Sequence, residues 1–222
     1  MLKQLLSIWQ EDSLLSKSDE QFNEMLNSLR MMFGWSMNYI WHYEKGKSSK
    51  EIYDKDIEIN KAERKIRKRI VEHLSIQPGI GVSQCLVLMS IGKDAERIGD
   101  YCKNLLEIAV KNGVVFKEDS FVDELKTMQG NIDEMFEKTI KCLRQDSMEI
   151  ANTVHEMATS FNKDCEQIIL KVYESNDLDV RSAISYVLLS RFLKRIVSHL
   201  GNISTSVSMP VHKLDYFDEK LL

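Results

Sequence analysis

Proline and glycine are scarce in this chain, two and nine in 222 residues, so few positions force a helix to stop. Strand-like alternation is missing too. The segments between the breaks are rich in Leu, Ile, Lys, Glu, Met and Ser with apolar residues at helical spacing, which predicts an all-α protein. Paired cysteines are also lacking. Cys85, Cys102, Cys142 and Cys165 form no C-x-x-C and all fall inside predicted helices, which argues for reduced, packed thiols over a disulfide framework or a zinc site. No apolar run reaches membrane-spanning length, and the N-terminal segment is too short and too soon acidic for a signal peptide. These absences predict a cytoplasmic protein, with peripheral membrane association only through partners. The formal charge of −4 excludes a general nucleic-acid binder, which needs a basic domain or a large basic face. What is present is apolar residue in quantity, 43%, enough to bury a real core.

Residues 1–17 read as a lead-in with Leu2, Leu5, Leu6 and Trp9 on one side. Ser18-Asp19-Glu20-Gln21 has the form of a capping box opening a first helix that runs to Gly46, with Gly34 as a place to bend. A second box, Ser48-Ser49-Lys50-Glu51, opens a second helix whose apolar stripe is Ile52, Ile59, Ile66, Ile70 and Leu74. Asp56 and Glu63 fall in that same stripe, where acids need partners. The other side of this helix is basic, with Lys61, Arg64, Lys65, Arg67, Lys68 and Arg69, which reads as a solvated face or a patch for an acidic partner or anionic lipid. Pro78 marks a loop, and a third helix follows from about Ile80 to Lys111, closed by Asn112-Gly113. A fourth helix follows Ser120, Asp146-Ser147-Met148-Glu149 caps a fifth, and a sixth runs from about Leu178 to Val207 before Pro210.

Helices three and six carry a repeat. Lys93 to Leu105 lies over Arg191 to Ile203, with Arg, Ile and Asn coinciding at 97/195, 98/196 and 104/202. The predicted architecture is therefore six long helices as two tandem three-helix bundles, residues 18–113 and 114–209, with a tail over 210–222 that holds Asp215, Asp218 and Glu219.

Within the first copy, Glu96 and Asp100 stand one turn apart, so their carboxylates are neighbours and need a cation or a basic side chain between them. With Ile98 at the centre of the apolar stripe, both acids point to the opposite side together with Lys93, Lys103 and Glu107. Two readings remain open: a surface cation site, or a charged face in which Lys93 and Lys103 balance the acids. Hard oxygen donors favour magnesium, calcium, manganese or iron.

Glu96-Arg97-Ile98-Gly99-Asp100 followed by Asn104 resembles the repeated signature of the PhoU family of phosphate-signalling regulators. Asp56-Ile57-Glu58-Ile59-Asn60 ahead of Gln77-Pro78 resembles its preceding helix. The resemblance implies tandem three-helix bundles, E/D-x-x-x-D motifs that hold a divalent metal or iron, and restraint of phosphate uptake or starvation signalling through transporter components and a sensor kinase. Carried over, it nominates Glu96, Asp100, Asp56 and Asn60 as metal ligands. In the second copy Lys194 and Ser198 replace the two acids, and a lysine repels the cation a carboxylate binds, so at most one intact site is expected.

Enzyme signatures are absent. Pro78-Gly79-Ile80-Gly81 lacks the Lys and Ser/Thr of a phosphate loop, there is no G-x-S-x-G, and no Glu-x-x-His pairs are placed for di-iron chemistry. Among the five histidines no pairing occurs, and only His199, one residue beyond the degenerate motif, draws notice. A non-enzymatic regulator acting through protein partners is the leading reading. A metal-binding bundle, or a structural scaffold that forms a homodimer through exposed Trp35, Tyr39 or Trp41, is the alternative.

Overall fold

The computed structural model describes residues 2–43, 49–112, 116 and 120–214, with side chains for residues 14–43, 49–110, 116 and 120–214. Six helices make up its regular structure: α1 (Leu2–Trp41), α2 (Lys50–Ile76), α3 (Val82–Asn112), α4 (Ser120–Gln145), α5 (Met148–Glu174) and α6 (Val180–Thr205), followed by a single 3-10 turn, Val211–Lys213. Among the described residues there is no strand.

The lead-in and the first helix are one element, not two. Nothing between Leu2 and Trp41 obliges a stop, and Ser18 does not cap: it lies inside α1, and its hydroxyl donates back to the Leu14 carbonyl at 2.8 Å. Gly34 does not interrupt α1 either. Gly46, Ser48, Gly113 and the tail acids lie outside the described residues, as do the side chains of Leu2, Leu5, Leu6 and Trp9. At α5 the cap is Ser147, whose side chain accepts from the Ile150 amide, while Asp146 takes a positive φ of 49°. Asp179 caps α6 by accepting from the amides of Arg181 and Ser182. The turn between α2 and α3 is made by two glycines in the left-handed region, Gly79 at φ 101° and Gly81 at φ 63°.

α1, α2 and α3 pack on one another, and so do α4, α5 and α6. The two sets are joined by α3 against α6 and α1 against α4. One continuous core runs through both, from Leu26, Leu29 and Ile98 in the first set to Phe136, Leu193 and Ile196 in the second. Polar ties reinforce the α1–α4 seam: Arg30 forms a fork with Asp133 (2.7 and 2.6 Å), and Trp41 Nε1 donates to Gln129 at 2.6 Å. The aromatic residues expected at a dimer surface are engaged inside the chain instead. Tyr39 is buried, and Trp35 and Trp41 pack partly buried against the core.

α3 and α6 are antiparallel, because Asp94 meets His199 while Tyr101, further along α3, meets Phe192, further back along α6. In the repeat alignment Asp94 stands over Phe192 and Tyr101 over His199. The two contacts are therefore images of one another, and the repeat is expressed as a pseudo-twofold crossing of α3 and α6.

Candidate functional site

α2 turns Asp56 inward, on the buried stripe with Ile52, Ile59, Glu63 and Ile66. α3 buries Ala95, Ile98, Cys102 and Leu105, which leaves Asp100 and Lys103 on the flank that faces α2. Gly99 lies at the α2–α3 contact, where a Cβ would stand at an ordinary 3.5 Å from Asp56 Oδ1 and from Leu29 Cδ2. The result is an open cleft of about 510 Å³ whose lining includes Tyr53, Asp56, Arg97, Asp100, Tyr101, Lys103, Asn104 and Glu107.

Lys103 is the centre of that cleft's chemistry. Its Nζ lies 2.9 Å from Asp56 Oδ2 on α2 and 3.0 Å from Asp100 Oδ1 on its own helix. Asp56 Oδ2 also accepts from Asn60 Nδ2 at 3.1 Å, and Arg97 Nη1 approaches Asp100 Oδ2 at 3.3 Å. Asp56 and Lys103 are largely withdrawn from water, with side chains 12% and 23% exposed. Burial alone would lower the lysine's proton affinity, but the hydrogen bonds to Asp56 and Asp100 outweigh it and hold the ammonium above its ordinary pKa.

The four nominated ligands do not converge. Asp56 and Asp100 face the same cleft. Asn60 turns its amide nitrogen to Asp56. Glu96 is not part of the cleft lining; its carboxylate takes Lys93 Nζ at 2.6 Å. Among the described residues, no three or more His, Cys, Asp or Glu side chains are grouped so as to hold a metal ion. Glu63, the other acid read into the α2 stripe, is buried beside Arg67 Nη2 at 2.6 Å.

The second copy has different chemistry at the same positions. Lys194 Nζ meets Glu166 of α5 at 2.6 Å, with Arg191 at 3.7 Å from the same oxygen, and the two cations hold that carboxyl below its usual range. Where Lys103 stands in α3, the repeat places Gly201 in α6, and a Cβ there would meet Ala158 Cβ at 3.6 Å. The ion cluster of one half corresponds to small apolar packing in the other.

One polar cluster escaped the sequence reading. Asp94, inside the motif stretch yet buried, sits 2.7 Å from His199 Nδ1 and accepts from Asn202 Nδ2 at 3.3 Å. The signal was available in part, because Asp94 falls on the stripe of Ile91, Ala95 and Ile98. Its partners, a helix from the other half, were not.

The PhoU domain family matches residues 22–109 and 125–207, so that both halves are covered. The chain belongs to the PhoU family. A curated relative, "Phosphate-specific transport system accessory protein PhoU homolog" of Synechocystis, is 25% identical over 162 residues, 71% of this chain and 72% of its own. An uncharacterised protein of Methanocaldococcus jannaschii is 28% identical over 158 residues, of which this chain spans about half the length, 53%. The fold matches the crystal structure of the phosphate transport system regulatory protein PhoU from Streptococcus pneumoniae, with TM-score 0.76 and 13% identity over 96% of this chain and 99% of that one. It also matches PhoU from Pseudomonas aeruginosa, with TM-score 0.70 and 16% identity over 91% and 95%. This is a divergent PhoU protein whose α1–α6 reproduce the family's helical bundle.

Proposed function

We propose that this PhoU-family chain is a non-enzymatic regulator of phosphate transport and phosphate-starvation signalling, working in the cytoplasm through transporter components or a sensor kinase. The observation that carries the reading is the family match over both halves, joined to a curated relative named as an accessory protein of phosphate-specific transport. Three physical features support it. No described helix is long and apolar enough to cross a membrane, so contact with a transporter would be made at its surface. The four thiols are fully buried, and burial, the leading cause in each case, raises their pKa, which leaves them poor nucleophiles. Exposed apolar side chains gather at the α2–α3 tip, Val71, Ile76, Ile80, Val82 and Leu86, and at the α5–α6 tip, Tyr173, Val180 and Ile184. Carried back by the same 98-residue offset, the repeat sets Val82 over Val180 and Leu86 over Ile184, so the exposed apolar positions of the two halves correspond.

Deleting the gene tests the reading. Phosphate uptake and the starvation response should become insensitive to external phosphate; an unchanged response in the deletion strain rejects it. Affinity capture of the full chain from phosphate-starved and phosphate-replete cells should recover a transporter subunit or a sensor kinase in a phosphate-dependent manner.

The alternative, a bundle whose function is metal binding, rests on Asp56 and Asp100 facing one cleft. As donors they suit a hard cation. With Lys103 between them, Asn60 presenting its nitrogen to Asp56 and Glu96 directed to Lys93, the set does not fit a metal as arranged, and no step of the proposed function depends on one.

A further inference from the structure

The acids that a PhoU signature would offer to a metal are, in this chain, already served by a cation of its own. We infer that Lys103 is the resident cation of the Asp56–Asp100 cleft, so that the native site excludes divalent metals and becomes a metal site only when the ammonium is removed. The inference concerns the chemistry of the cleft and stands or falls independently of the phosphate reading.

Three observations carry it. First, one Nζ bridges carboxylates from two helices at 2.9 and 3.0 Å, both ordinary charge-assisted hydrogen bonds. A divalent ion bound by the same two oxygens at about 2.0–2.6 Å would have to take the volume the ammonium fills. Second, the lysine has no easy retreat. Its side chain is 23% exposed, Arg97 already stands against Asp100, and leaving would strip a buried Asp56 of the basic side chain that pairs with it among the described residues. Third, the second half keeps neither member: Gly201 stands at the lysine's place in the repeat and packs against Ala158. The lysine is therefore a feature of the acidic half alone, not a surface charge that both copies carry.

This sharpens the charged-face alternative. Lys103 does not merely balance Asp100 along α3; it fastens α3 to α2 through Asp56. A metal would do that in a site built from carboxylates alone. With the lysine, the cleft holds its shape without metal supply.

Manganese titration of the purified full chain tests this, with the free ion followed by electron paramagnetic resonance. The native protein should show no saturable Mn²⁺ site. Lys103→Gln should gain one, with affinity at least about tenfold higher than any residual binding. Adding Asp100→Asn to Lys103→Gln should abolish the gain, and Lys103→Arg, which keeps the cation, should behave as the native chain does. Circular dichroism of each variant checks folding. Saturable Mn²⁺ binding by the native chain that Asp100→Asn removes would overturn the inference whether or not the lysine variants fold. So would a folded Lys103→Gln that gains no site.

Discussion

Tyr101 of α3 and His199 of α6 stack across the α3–α6 crossing, centroids 5.8 Å apart and planes 24° from parallel. They occupy equivalent positions in the repeat, so the stack lies where the pseudo-twofold crosses. Each then reaches past the other: Tyr101 to Phe192 at 6.0 Å, His199 to Asp94 at 2.7 Å. One side of the crossing has diverged to an aromatic pair and the other to a polar one.

The polar side should matter to stability, because Asp94 is buried and His199 and Asn202 are the hydrogen-bond partners that reach its Oδ1. His199→Ala leaves that carboxylate short of its stronger partner and should cost about 1–3 kcal/mol. Asp94→Asn, which removes the charge but keeps the shape, should cost less. Urea unfolding of both variants, read at constant m-value, checks the order; equal losses would show that the carboxylate's charge is not what His199 serves.

Acid should weaken the α1–α4 seam. The Arg30 hydrogen bond beside Asp133 is the leading cause that holds this carboxyl below its ordinary value near 3.9. The unfolded chain therefore binds the Asp133 proton at a higher pH than the folded one does. Its stabilising contribution is present above about pH 4 and is lost as pH falls through the depressed folded value. Arg30→Gln should lower the melting temperature most at neutral pH and least in acid, where the contribution is already lost, so that the acid limb of the profile flattens. A parallel downward shift at every pH would assign Arg30 a packing role instead.

Gly99, although part of the signature, is not demanded by the backbone. Its position has only ordinary contacts for an added Cβ, the nearest at 3.5 Å, so Gly99→Ala should be neutral or stabilise by up to about 1 kcal/mol. Gly81 is the opposite case. It has φ +63°, and a Cβ would lie 3.0 Å from Leu15 Cδ1, so alanine there should cost about 1–2 kcal/mol. Thermal melts of the two variants should move in opposite directions or differ by that margin.

All four cysteines are buried and unpaired, and burial pushes Cys142 up to about 11 and Cys165 up to about 12. A thiol reagent such as DTNB should leave the native protein unlabelled on the timescale of minutes and modify all four thiols in guanidinium. Rapid labelling of a single native cysteine would locate an opening of its helix.

The inward turn of Asp56 and Glu63, the burial around Ile98 and the six-helix count were all legible in the sequence, because a 3.6-residue period states which residues share a face. Helix ends were less so. Ser18 has the residue type of a cap, but with no breaker before it the helix simply continues and the hydroxyl bonds backwards. The site was half legible: Asp100 and Asp56 were named, and Lys103 was read as a neighbour of the acids on its own helix, without its reach to α2.

By itself, then, the sequence determined the helical class, the faces of each helix, the family signature and the loss of acids at Lys194 and Ser198. Only the tertiary structure decided that α3 crosses α6 antiparallel, that Asp94 finds His199, that Tyr39 is buried and that Lys103 bridges two carboxylates. Periodicity is a property of one helix. Which side chain meets which across two helices depends on their crossing and register, which are set by the packing of the whole core.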